Sequence, residues 1–136
     1  MEIPSPSRRE SSLLRALLTR GGRKRSGCCR CEGVRAVEEL LDRRGDLVDF
    51  IVATQRGITA INRNLPNLRL LSEEEFSEYS DTLNSQGIIA VAKIPESPDK
   101  NVEGNFILAL DQLGDPGNFG TIARTYRAIE IGRAHV

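Results

Sequence analysis

Apolar residues recur near the start of the chain at the spacing of a helix buried along one side. Leu13, Leu14, Leu17 and Leu18 return every three to four positions, which places them on one stripe. Ser7 suits the position that opens this helix, and Glu10, three residues on, suits the reciprocal cap. Gly21-Gly22 is expected to end the run, leaving Arg23-Lys24-Arg25 in a loop. Gly27 to Glu32 is short and partly apolar, a candidate buried strand. A second amphipathic helix is expected from about Gly33 to Arg43, with Val34, Val37, Leu40 and Leu41 on one face and Gly45-Asp46 as its break.

The pattern then changes period. Leu47 to Ala53 (LVDFIVA) is rich in β-branched and aromatic residues and predicts a strand. Thr54 to Pro66 is ambiguous, because Gly57, Asn62 and Asn64 weaken a helix. Leu68 to Leu71 is a candidate short strand. Ser72 followed by Glu73, Glu74 and Glu75 predicts a helix start, since a capping hydroxyl and carboxylates suit its positive end. Gly87 to Ile94 (GIIAVAKI) reads as a fully buried strand. The polar stretch Glu96 to Gly104 reads as a linker. Beyond it, Asn105 to Asp111 (NFILALD) predicts a strand, Asp115 to Asn118 a turn, and Phe119 onward a helix. Strands alternating with helices point to an α/β domain followed by the opening strand-loop-helix of a second.

At 136 residues with 39% hydrophobic content, the chain has room for one ordinary domain, or a small domain plus a fragment. No apolar run approaches a membrane span, and Met1 to Ser7 lacks the apolar core of a secretion signal. Net charge is zero, but its distribution is uneven. Between Met1 and Ala36, nine basic residues face three acidic ones, a surplus of six that the rest of the chain cancels. That asymmetry suits either a polyanion met by the N-terminal part or a solvated surface. Cys28, Cys29 and Cys31 lie too close together for a disulfide framework, which points to a reducing cytoplasm. They are also poor metal candidates, because no second ligand cluster exists and the single histidine is His135. Small buried hydrophobes are the better reading.

The densest chemistry lies in Phe106 to Thr125, FILALDQLGDPGNFGTIART. A strand that delivers the chain through a loop to a helix N-terminus is where open α/β sheets place ligands. Asn118 is positioned to cap that helix, and free backbone N–H groups there favour an anion. Gly120 and Arg124 are four apart. Because helical side chains lean toward the N-terminus, Arg124 is expected to lie back across Gly120. The guanidinium then sits where a phosphate or a developing oxyanion would be held. A packing glycine beside a solvated arginine fits the same residues.

DPGNFGTIART resembles the first motif of the SpoU (TrmH-like, SPOUT superfamily) RNA ribose 2′-O-methyltransferases, close to D-P-x-N-x-G-x-x-x-R-T. Asp115, Pro116, Asn118, Gly120, Arg124 and Thr125 match its fixed positions. Upstream, CEGVRAVEELL, which contains Arg35, and GIIAVAKIP resemble segments of the family's N-terminal substrate-binding domain. The resemblance runs from about Ser7 to Ala128. It implies a ribosomal-protein-like αβα sandwich over 1–95, a linker over 96–104, and the first strand and helix of a knotted α/β methyltransferase domain over 105–129. It also implies methyl transfer from S-adenosylmethionine to a ribose 2′-hydroxyl of structured RNA, rRNA or tRNA, by a homodimeric parent enzyme. Asn118 and Arg124 would be the catalytic residues, with RNA contacted by Arg23, Lys24, Arg25, Arg35 and Gly120. Guanidinium stays protonated at working pH, so phosphate clamping or oxyanion stabilisation suits Arg124 better than the role of base. A 2′-hydroxyl requirement makes the substrate RNA, not DNA.

Tyr126-Arg127 departs from the family pattern, and the resemblance stops after Ile129. The tail Glu130 to Val136 (EIGRAHV) can be encoded by a common sequencing-adapter sequence and is expected to be non-native, so His135 carries no functional weight. The chain is expected to be cut off before the cofactor-binding motifs, with no cofactor site of its own and no activity. An αβα domain that binds RNA without catalysis is the alternative reading.

Overall fold

The computed structural model describes residues 2–96 and 108–128. Within the first stretch the order is α1 (Arg8–Ala16), α2 (Arg20–Ser26), β1 (Cys28–Glu32), α3 (Val34–Arg44), β2 (Val48–Ala53), α4 (Gln55–Ile61), β3 (Leu68–Leu70), α5 (Glu73–Ser77) and β4 (Ile88–Lys93). The second stretch contains α6 (Pro116–Ala128). The chain divides into two compact units, Met1–Glu96 and Ser97–Val136.

The first unit is built on a four-stranded sheet in the order β1-β4-β2-β3. β4 runs antiparallel to both β1 and β2, and β2 runs parallel to β3. Side chains alternate across a strand, so each strand supplies both faces. One face presents Cys28, Phe50, Val52, Ile89 and Val91 to Leu14 of α1 and Leu17 at its end, and to Phe76 of α5 and Tyr79 just beyond it. The other presents Ile51, Ala53, Ile88 and Ala90 to Val37 of α3 and Ile61 of α4. Helices therefore cover both faces of the sheet, the expected αβα sandwich. Ile88 through Ala92 are at most 1% exposed, as a central strand without polar alternation requires.

Local chemistry sets most element starts. Ser7 and Ser72 each open a helix with a reciprocal cap, to Glu10 and Glu75 respectively. Glu10 also accepts from Arg69 Nε at 3.0 Å, fastening α1 to β3. The backbone of the N-terminal segment adds to the same edge, because Leu70 N–H donates to the Pro4 carbonyl at 2.9 Å.

Four expectations are corrected. Gly21-Gly22 does not end a helix; α1 already closes at Leu17, and Thr19 caps a separate helix by accepting from Gly22 N–H at 3.0 Å. A β-carbon on Gly22 would stand 1.9 Å from the Ala16 carbonyl oxygen, so glycine is what lets α2 pack there. Arg23-Lys24-Arg25 is accordingly helical, not a loop. Second, the ambiguous stretch after Thr54 begins as α4, capped by Thr54 Oγ1 accepting from Gly57 N–H at 3.2 Å. Third, Asn118 does not cap α6. The helix starts earlier, at Pro116, whose missing N–H suits a first helical position. Asp115 Oδ1 accepts from Gly117 N–H at 2.8 Å in the capping role. Fourth, Leu108 to Asp111 form no strand; a strand needs a partner, and none pairs with this segment among the described residues. Residues 105–107 of that expected strand, most of the expected linker and the tail Glu130 to Val136 with His135 lie outside the described residues.

Candidate nucleic-acid interface

The structure sorts the chain's cations into committed and available ones. Arg9 pairs with Asp49, Arg30 with Glu32, Arg43 with Glu39, Arg44 with Asp46, Arg56 with Glu73, Arg63 with Asp42 and Arg69 with Glu10. The cations of α2 stand apart from this network. Lys24 and Arg25 are exposed and form no ion pair among the described residues. Arg23 is half-buried and donates Nη1 to the Leu17 carbonyl at 3.1 Å, closing the end of α1. Arg25 lies back over Gly21, where a β-carbon would meet its Nη1 at 3.1 Å. Among the first 36 residues, the cations that form no ion pair with a described residue are thus Arg20, Arg23, Lys24 and Arg25 on α2, Arg8 and Arg15 on α1, and Arg35 on α3.

A second polar cluster forms at the far end of β1, four residues along. The Glu32 side chain is only 11% exposed and accepts from Ser80 Oγ at 2.5 Å, Ser85 Oγ at 2.8 Å, Thr82 Oγ1 at 3.1 Å and Asp81 N–H at 3.3 Å. Arg30 pairs with the same carboxylate and donates its other nitrogen to the Tyr79 carbonyl. Burial alone would raise the Glu32 pKa. The hydrogen bonds from Ser80, Ser85 and the Asp81 backbone, with the Arg30 charge, outweigh burial and hold it below the usual carboxylate range. Gln86 Oε1 accepts from Val34 N–H at 2.8 Å and so caps α3. Arg35, one residue further along α3, is exposed and unpaired among the described residues. The close approach that seals this end is between glycines. Gly87 has φ +77°, and a β-carbon on Gly57 would stand 2.0 Å from its carbonyl oxygen.

β1 also carries the cysteines. Cys29 and Cys31 share one face of the strand and touch each other, while Cys28 is buried on the opposite face with α1 and α5. Burial raises the pKa of both Cys29 and Cys31, so neither is an activated thiol at neutral pH.

In the second unit, Arg124 lies back across Gly120, with Nη1 3.1 Å from where a β-carbon would stand. Its Nη2 donates to Thr121 Oγ1 at 3.4 Å. The sequence-based geometry of this pair is what the helix adopts. Asn118 is exposed in the first turn, two residues from Gly120, and so points to another side of the helix. The structure therefore brings Gly120 and Arg124 together and leaves Asn118 apart. In the segment before α6, Leu108, Leu110 and Leu113 are exposed.

Sequence reasoning missed the Glu32 cluster. Its signal was the hydroxyl-rich run Ser80 to Ser85, whose partner lies some fifty positions earlier in the chain.

Residues 12–90 match the family model described as the MRM3-like substrate binding domain. The chain belongs to this family. The matched residues take in α2, the Glu32 cluster and Arg35, and stop before α6. Over 124 residues the chain is 30% identical to the 23S rRNA (guanosine(2553)-2′-O)-methyltransferase RlmP of Bacillus subtilis (strain 168), an alignment covering 91% of this chain and 49% of that protein. A structure described as an RNA methyltransferase of the TrmH family from Porphyromonas gingivalis superposes with a TM-score of 0.69 at 31% identity, over 93% of this chain and 50% of the other. An RNA 2′-O ribose methyltransferase superposes with a TM-score of 0.62 at 26% identity, over 94% of this chain and 52% of the other. The chain spans about half the length of these relatives. The MRM3-like domain resembles the SpoU/TrmH methyltransferases in sequence and in fold, as the motifs imply.

Among the described residues no cluster of His, Cys, Asp or Glu suits a metal ion, and no helix is long and apolar enough to cross a membrane.

Proposed function

We propose that this chain is the RNA-gripping part of an S-adenosylmethionine-dependent ribose 2′-O-methyltransferase, cytoplasmic and homodimeric in its parent form. The observation that carries this reading is the family match over 12–90 together with the uncompensated cations that the same residues expose. Lys24 and Arg25, with Arg23 behind them, contact phosphates of structured rRNA or tRNA, and Arg35 contacts the same RNA from the first turn of α3. Such contacts supply affinity without sequence information.

In α6, the Arg124 guanidinium over Gly120 clamps a phosphate beside the target ribose or steadies the charge that develops on its 2′-oxygen. Asn118, exposed in the first turn on another side of α6, would take part in catalysis from that side. S-adenosylmethionine would supply the methyl group when bound. A second reading is RNA binding without methyl transfer, for which the substrate-binding domain over residues 12–90 would suffice.

RNA binding tests the shared part of both readings. Affinity for a structured RNA should fall steeply as salt rises from about 50 to 200 mM. The triple substitution R23A/K24A/R25A should weaken it and flatten the salt slope by about two to three. An unchanged slope would remove α2 from the interface. Tritium transfer from labelled S-adenosylmethionine to that RNA by the full-length parent protein separates the two readings, since only the enzyme gives incorporation.

A further inference from the structure

The outer side of α1 carries charge that no described residue neutralises. Arg8 and Arg15 are seven positions apart, close to two turns, so they stand on one stripe about 10 Å from each other. Ser12 is exposed between them. Glu10, the acid of this helix, is turned inward, where it accepts from Ser7 N–H and from Arg69 Nε. Neither Arg8 nor Arg15 forms an ion pair among the described residues. An exposed arginine is ordinary on a protein surface. Arg15 differs because its guanidinium lies 5.8 Å from the centre of the Tyr79 ring, a contact that holds the side chain in place and leaves its charge intact.

α2 follows at once, after Leu17, Leu18 and Thr19, and Gly22 lets it pack against the Ala16 carbonyl. Arg20 and Lys24, four apart on α2, are exposed and likewise form no ion pair among the described residues. α1 is itself fastened to the sheet edge, through Glu10 to Arg69 and through the Pro4 carbonyl to Leu70 N–H. Of the acids that flank these helices, Asp49 is spent on Arg9, whereas Glu74 and Glu78 at α5 are exposed. A polyanion is therefore favoured along α1 and α2 and disfavoured toward α5. Cations on two helices that are locked together fit a partner whose phosphates also keep a fixed spacing. A double-helical RNA stem is such a partner, met through its shape and backbone. A single strand has no fixed phosphate spacing and adapts to whichever cations it meets.

We propose that the outer face of α1, through Arg8 and Arg15, is a second row of phosphate contacts, and that together with Arg20 and Lys24 of α2 it receives a double-helical RNA stem. This rests on the reading of the first unit as an RNA-binding domain. It adds the form of RNA that the domain takes, and it adds α1 to the contacts assigned to α2 and α3.

The test uses the full chain, a fluorescein-labelled RNA hairpin with a long stem, and an unstructured RNA strand of the same length. Binding is followed by anisotropy from about 50 to 200 mM salt. R8Q/R15Q, which removes both charges and keeps long polar side chains, should lower the salt slope on the hairpin by about two. The advantage of the native chain over this variant should then shrink about tenfold across that range, while the slope on the single strand stays as it was. R8K/R15K, which keeps the charges, should restore most of the hairpin slope. Because R15Q also removes the contact with Tyr79, R8Q alone serves as the second variant. Arg8 is exposed, so R8Q should keep the native melting temperature and lower the slope by about one. An unchanged hairpin slope in R8Q/R15Q, with R23A/K24A/R25A still lowering it, would overturn the α1 row and leave the α2 reading intact. Equal loss on hairpin and single strand would overturn the stem as the partner of α1. If the native chain binds neither RNA, the RNA-binding reading itself fails and takes the α1 row with it.

Discussion

Glu32, like Glu10, is a charged side chain held almost out of water. Its carboxylate is nearly removed from water, so it must be compensated, and Arg30 with three hydroxyls and one backbone N–H supplies the compensation. Its folded pKa lies below the ordinary value of about 4.5. The stability it contributes is therefore present above that pH and is lost as pH falls through the lower folded value. Urea midpoints measured from pH 6 down to about 3 should fall for the native chain, and Glu32→Gln should remove part of that slope. At neutral pH, Glu32→Ala should cost about 3 kcal/mol, because it strands Arg30 as well as the loop hydroxyls. A cost near zero would mean that water replaces the carboxylate freely.

At the scale of elements, glycines decide how closely segments approach. Gly57 lies within α4 while its backbone passes the Gly87 carbonyl, with room for no side chain. Gly57→Ala should therefore destabilise the domain by about 2 kcal/mol, despite the better helix propensity of alanine. The opposite holds for Gly120, where an added β-carbon would meet only the mobile end of Arg124 at 3.1 Å. Gly120→Ala should leave the thermal transition in place or raise it slightly, while displacing the guanidinium from the helix mouth. A loss of RNA affinity without a loss of stability in that variant would assign the Gly120–Arg124 pair to the ligand. Equal stability and equal affinity would leave it as helix packing.

At the scale of the whole molecule, the two units divide after Glu96, and the available cations of α2 and α3 belong to the first. If that unit carries the RNA grip, a chain ending at Pro95 should keep the native melting transition and most of the salt-sensitive affinity. A collapse of the transition on truncation would show that residues beyond Pro95 support the sheet. The sheet order bears on this, since β1 and β3 form its edges and β4 sits between β1 and β2. The last strand of the domain in sequence is thus inserted between two earlier ones, so the sheet is completed only when β4 docks.

Sequence alone determined the features that depend on near neighbours. The reciprocal cap at Ser7, the helix start at Ser72, the helical stripes of α1 and α3, the buried strand β4 and the return of Arg124 over Gly120 all follow from residues close in sequence, and each is legible in a single window. The short elements were harder. α2 and α4 each contain glycine, which reads as a breaker until the packing partner, the Ala16 or Gly87 carbonyl, is known. Only the tertiary structure decided which charges are spent and which are free, because an arginine's partner can lie up to fifty-nine positions away, as for Arg69 and Glu10. For the same reason it alone showed Glu32 gathering the Ser80–Ser85 loop and leaving Leu83 in water. Local propensity fixes where elements begin, but the balance of buried charge and the shape of a groove are set by segments that meet only after the chain has folded.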